Sequence, residues 1–233
     1  MAFSFLRRVA GSDDRLDHIE EVIAEMLAHD HDAFLLAMGA LLGTDDVAEA
    51  GPRVLAIDRK VNQGERSIRR ELVVHASVVG ALDTPALLVY MSIVKDIERV
   101  GDYAKNLLDL ARDGARLEAH ANWATLRDEI AAYLTATSEV FAARDNSRAR
   151  SMLAEGDALL DRFDAQVSAL VRGDDEDSES VARALALRYL KRIVAHLMNV
   201  LSSVVMPLDR LDYFDEDPED REPEHGEDSR PRR

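Results

Sequence analysis

Glu98, Asp102 and Asn106 recur every fourth residue in the stretch from Lys95 to Asn106, K-D-I-E-R-V-G-D-Y-A-K-N. On a helix this spacing stacks the three side chains one turn apart along a single stripe. Ile97, Val100, Ala104, Leu107 and Leu108 take much of the remaining surface, which predicts a helix buried over most of its circumference. Two carboxylates one turn apart repel each other unless a cation or a hydrogen-bond donor compensates. Oxygen-only ligands of this kind suit Mg, Ca, Mn or Fe. The plainer reading is an acidic stripe paired with Lys95, Arg99 and Lys105.

A second stripe carries Asp58, Asn62 and Glu65 at i, i+4 and i+7 within D-R-K-V-N-Q-G-E. Arg59, Lys60, Arg66, Arg69 and Arg70 stand close enough in sequence to neutralise it. Two acidic stripes on neighbouring helices could share a cation, and the plainer reading here too is a surface stripe neutralised by those basic residues. Asp157, Asp161 and Asp164 repeat the i, i+4, i+7 spacing a hundred residues on, in G-D-A-L-L-D-R-F-D. Such a recurrence is evidence of a duplicated unit. His29-Asp30-His31-Asp32 invites a metal reading, but His29 and His31 are two apart and point to different sides of a helix, so no role is assigned to them.

The elements that position these stripes are helices throughout. Gly11-Ser12-Asp13-Asp14 supplies a helix start, and apolar residues from Leu16 to Leu42 keep a helical period until Gly43-Thr44-Asp45. A second helix is expected from near Asp45 to Val79, interrupted or restarted at Gly51-Pro52. Thr84-Pro85 opens a third, which contains the Glu98 stripe and stops at Asp113-Gly114. The plan then repeats with helices over about Trp123–Ala143, Ser147–Arg172 and Glu179–Val205, a charged link at 173–178, and Pro207 as the final stop. This is an all-α chain.

Composition agrees. Apolar residues make up 47% and aromatics only 5%, which suits a helical core. A net charge of −16 argues against a nucleic-acid surface. The absence of cysteine excludes thiolate catalysis and cysteine-ligated zinc, and agrees with a reducing cytoplasm. The opening M-A-F-S-F-L-R-R-V-A is too short and too early in charge for a secretory signal. The uncharged run from Ile193 to Leu208 falls short of the roughly 20 residues a membrane span needs. There is no phosphate-cradling Gly-rich loop, nucleophile elbow or Glu-x-x-His pair, so the expectation is a soluble, cytoplasmic, non-enzymatic protein. From Asp209 onward 11 acidic residues stand against 5 arginines, the composition of a disordered, solubilising tail, with its Tyr213 and Phe214 expected to pack back onto the bundle.

The segment D-I-E-R-V-G-D-Y-A-K-N-L resembles the signature of the PhoU family. Glu98 and Asp102 match its acidic positions, Asn106 its asparagine, Gly101 its glycine, and Asp58, Asn62 and Glu65 its second-helix series. The resemblance implies six helices in two tandem three-helix bundles, here 1–114 and 115–208, followed by the tail at 209–233. It further implies that the carboxylates line metal sites. For this chain that means one site for Fe, Mn, Mg or Zn, made by Asp58, Asn62, Glu65, Glu98 and Asp102. The sixth helix departs from the pattern. L-K-R-I-V-A-H-L-M-N-V puts Lys191 at the Glu98 position and Ala195 at that of Asp102, while Arg192 and Asn199 match Arg99 and Asn106. The second half is therefore expected to be metal-free, with Lys191 paired to Asp157, Asp161 or Asp164, and His196 a hydrogen-bonded core residue.

The implied role is regulation of phosphate homeostasis. Family members link the phosphate-uptake machinery to a sensor histidine kinase and damp the phosphate-starvation response. The alternative is an accessory protein of a sodium- or metal-phosphate transporter, or a metal-free helical scaffold. A homodimer, and peripheral membrane association through a transporter subunit, are compatible with either.

Overall fold

In the computed structural model, the described residues are 14–79, 84–117, 122–173, 179–206 and 211. They form six helices: α1 (Asp14–Leu41), α2 (Val47–Val79), α3 (Thr84–Arg112), α4 (Trp123–Ala143), α5 (Asn146–Arg172) and α6 (Ser180–Val205). No strand occurs among the described residues. The proposed start at residues 11–13 lies outside them, as do most of the 173–178 link, Pro207, Tyr213 and Phe214.

Local chemistry accounts for the breaks. After α1 the chain turns through Gly43 at φ 73°, and Asp46 then caps α2, its Oδ1 accepting from Ala48 N at 2.7 Å. Gly114, at φ 96°, sits past the end of α3 in a left-handed conformation that glycine adopts without strain. Arg144, also left-handed, closes α4 with its N–H directed to the Val140 and Phe141 carbonyls, and Asp145 at once caps α5 by accepting from Arg148 N. The expected interruption at Gly51-Pro52 does not occur. Pro52 is the sixth residue of α2; its missing N–H forfeits one ladder hydrogen bond, to Ala48, and the helix runs on unbroken to Val79.

The two halves of the chain, α1–α3 and α4–α6, share one continuous apolar core. In the first, α1, α2 and α3 all pack on one another; in the second, α6 packs on α4 and on α5. α4 and α5 diverge, leaving an open groove of about 690 Å³ between Tyr133 and Ala136 on one side and Met152 and Leu159 on the other. The halves meet through α3 on α6 and α1 on α4. Asp96 reaches His196 and Asn199, whereas Tyr103 lies against Tyr189 and His196, so α3 and α6 run antiparallel. A further link joins Glu20 to the Tyr90 hydroxyl, which donates at 2.5 Å, and to Arg144 Nη2, which donates at 2.6 Å. Past α6, Leu211 is buried and the Ser202 hydroxyl donates to its carbonyl.

Candidate functional site

The α3 stripe packs where the repeat predicts, on the inner side of the first bundle. Ile97, Val100, Ala104, Leu107 and Leu108 are fully buried and fix the helix rotation, which brings Glu98 to 9% exposure and leaves Asp102 half-buried. α2 presents Asp58, Asn62 and Glu65 opposite, with Glu65 buried and the other two half-buried.

Lysines join the two stripes. Lys105 Nζ donates to Asp58 Oδ1 at 2.8 Å and to Asp102 Oδ1 at 3.0 Å, bridging α2 and α3. Burial alone would lower the Lys105 pKa, but its hydrogen bonds and the charges of Asp58 and Asp102 outweigh this and raise it. Nearly three turns earlier on α3, Lys95 Nζ donates to Glu98 Oε2 at 2.5 Å and stands 3.9 Å from Glu65 Oε1. Arg69 Nη2 lies 3.1 Å from the same Glu65 oxygen, and Arg99 Nη1 is 3.8 Å from Asp102. Asn62 turns away from the cluster and donates to the Asp58 carbonyl on its own helix at 3.0 Å. Asn106 is half-buried.

Asp30, on α1, is the residue that sequence reasoning passed over. It is fully buried, and neither carboxylate oxygen has a hydrogen-bond partner. Burial holds its carboxyl well above the usual range, and the negative charges of Glu98, Asp58 and Asp102 push it further up. Gly101 makes room for it. A Cβ at position 101 would come within 2.7 Å of Asp30 Oδ1, so the glycine between Glu98 and Asp102 is a place of close approach between α1 and α3. A signal was present in the sequence: Asp30 falls on the apolar stripe of Ile23, Met26, Leu27, Phe34 and Ala37, where a carboxyl has no water to face.

The second half differs. Lys191 Nζ donates to Asp164 Oδ2 at 2.5 Å, and Arg188 Nη1 is 3.6 Å from the other oxygen. Asp157 is half-buried, Asp161 exposed and Ala195 buried. His196 is a buried, hydrogen-bonded histidine whose Nδ1 lies 2.8 Å from Asp96 Oδ1. Asn199 Nδ2 donates to the same oxygen at 3.0 Å.

The donor set, all hard oxygen, has the chemistry of a Mg, Mn or Fe site. Its geometry does not match that chemistry. Among the described residues no group of three or more His, Asp or Glu is arranged to hold a metal ion. Of the five residues expected to share a cation, Asp58, Glu65, Glu98 and Asp102 each lie within 4 Å of the Lys95 or Lys105 ammonium group.

Residues 23–111 match the family model described as the PhoU domain. The crystal structure of PhoU from Pseudomonas aeruginosa superposes with a TM-score of 0.71 at 25% identity, covering 84% of this chain and 98% of that one. The first three helices thus match a PhoU domain, and the chain as a whole is similar to PhoU proteins. A Pseudomonas putida protein named phosphate-specific transport system accessory protein PhoU homolog is 29% identical over 73% of this chain and 75% of its own length. A Synechocystis protein of the same name is 25% identical over 82% of this chain and 88% of its own length. The family model stops within the first bundle, whereas these relatives and the PhoU structure extend into the second, where Lys191 and Ala195 replace the motif carboxylates.

Proposed function

We propose that the chain is a cytoplasmic regulator of phosphate homeostasis, an adaptor between the phosphate-uptake machinery and a sensor histidine kinase that damps the phosphate-starvation response. The observation that carries this reading is the likeness, across both bundles, to relatives named as accessory proteins of the phosphate-specific transport system. The architecture is consistent with an adaptor. Because α3 and α6 are antiparallel, the α2–α3 and α5–α6 hairpin ends lie at opposite ends of that pair. The first exposes Val73, Val74 and Leu88, the second Val171, Val181 and Leu185. Apolar side chains left in water at two separate places are suited to contacts with two different proteins. No helix among the described residues is long and apolar enough to cross a membrane, so attachment to a transporter would be through protein contacts.

The test is genetic. Deleting the gene is expected to switch on a phosphate-starvation reporter in phosphate-replete medium, and restoring the wild-type chain to silence it. A reporter that follows external phosphate identically with and without the chain would reject the adaptor reading.

A further inference from the structure

In the first half, Lys105 ties Asp58 on α2 to Asp102 on α3, and Lys95 stands between Glu98 on α3 and Glu65 on α2. In the second half, Lys191 on α6 ties back to Asp164 on α5. The three ammonium groups thus link equivalent helices, the second and third of each half. Each stands against a motif carboxylate, where the family resemblance calls for a metal.

Charge accounting agrees. Asp58, Glu65, Glu98 and Asp102 bring four negative charges to the first cluster, and Lys95, Lys105, Arg69 and Arg99 bring four positive ones. Those four carboxylates are each matched by a basic side chain within 4 Å. Glu65 and Glu98 side chains are only 9% and 11% exposed and Asp58 17%, while Lys95 is 40% and Lys105 28% exposed, so water screens the Lys105–Asp58 pair least. An ammonium is a compact charge with three donors and can serve two carboxylates at once, the bridging task otherwise given to a cation.

We propose that lysine has replaced the metal in this chain: Lys105 and Lys95 in the first half, and Lys191 in the second, cross-link the helix pairs that a bound ion would join, and the protein folds and works without a resident metal. The inference concerns what holds the bundle together and stands whichever partner the chain serves.

Elemental analysis and thermal unfolding of the full chain test it, with Lys105→Met, Lys105→Arg and Glu98→Gln/Asp102→Asn alongside. The wild type is expected to carry only substoichiometric metal and to unfold at the same temperature in EDTA or in Mn²⁺. Lys105→Met should unfold at a lower temperature, and a saturable gain on adding Mn²⁺ should be confined to that variant, whose two carboxylates are then unbridged. Lys105→Arg, which keeps the charge, should fold and stay metal-free even where Lys105→Met does not fold. Stoichiometric metal in the wild type that disappears in Glu98→Gln/Asp102→Asn would overturn the proposal. So would a Lys105→Met protein as stable as the wild type, or a wild type stabilised by Mn²⁺.

Discussion

Replacing Asp30 with asparagine should make the protein more stable, although it alters a fully buried residue in the middle of the first bundle. Asp30 has no exposure and no hydrogen-bond partner, and it faces Glu98, Asp58 and Asp102. A buried polar group without a partner costs about 1–3 kcal/mol. An amide of the same shape carries no charge at any pH and offers two N–H donors to the surrounding carboxylates. A gain of about 1–3 kcal/mol at the acid end of the range, where the carboxyl is still neutral, corresponds to a melting temperature higher by roughly 2–12 °C for a chain of this size.

The pH dependence supplies the sign. The folded-state pKa of Asp30 is raised well above 3.8, so between 3.8 and that raised value the folded chain binds a proton that the unfolded chain has released. The residue's contribution to stability therefore worsens as pH rises through this window, by about 1.4 kcal/mol per unit. Urea unfolding of wild type and Asp30→Asn between pH 4 and 8 isolates this contribution, because the other carboxylates cancel in the difference. The advantage of the asparagine variant should be smallest near pH 4 and grow toward neutrality. An advantage that stays flat from pH 4 to 8, or an asparagine variant less stable than wild type at pH 8, would refute the reasoning.

Two further outcomes follow from the packing. Asp96→Ala leaves His196 Nδ1 and Asn199 Nδ2, both on α6, without their partner on α3, and should cost about 1–3 kcal/mol in urea unfolding, whereas Asp96→Asn should cost less. Leu211→Ala removes a buried side chain beyond the end of α6 and should cost about 2–5 kcal/mol, with faster amide exchange in the last turns of that helix around Ser202.

Much of the fold was legible because the chain is punctuated by residues with few alternatives. Thr84-Pro85, Asp113-Gly114 and the Trp123–Ala143 period give the observed ends of α3 and the observed span of α4. Gly51-Pro52 misled because the same residues break a helix in its middle and are tolerated near its start, and only the position of Val47 distinguishes the two. At the site, the i, i+3 contacts of Lys95 with Glu98 and of Lys105 with Asp102 follow from spacing on a single helix. Lys105 with Asp58, 47 residues apart, depends on how α2 rotates against α3, and no local pattern encodes that. Asp30 was hidden for another reason. The flanking histidines draw attention to metal chemistry, while the informative feature is a carboxyl on an apolar stripe opposite a glycine 71 positions later. Asp96 sat inside the motif itself, but its partners, His196 and Asn199, are 100 and 103 residues away.

α3 is a wall common to two compartments. One side of it carries Glu98, Asp102 and Lys105 toward α2, and the other carries Asp96 and Tyr103 toward α6. A helix resists compression, and an axial slip of a single residue would move both sides together by about 1.5 Å. Such a slip would strain the Lys105 bridge and the Asp96–His196 bond in the same stroke. Sliding one half past the other is thus the stiff direction of the molecule, and the open groove between α4 and α5 is its compliant one. A partner gripping the α5–α6 end would deform the second half first, while the first half kept its register.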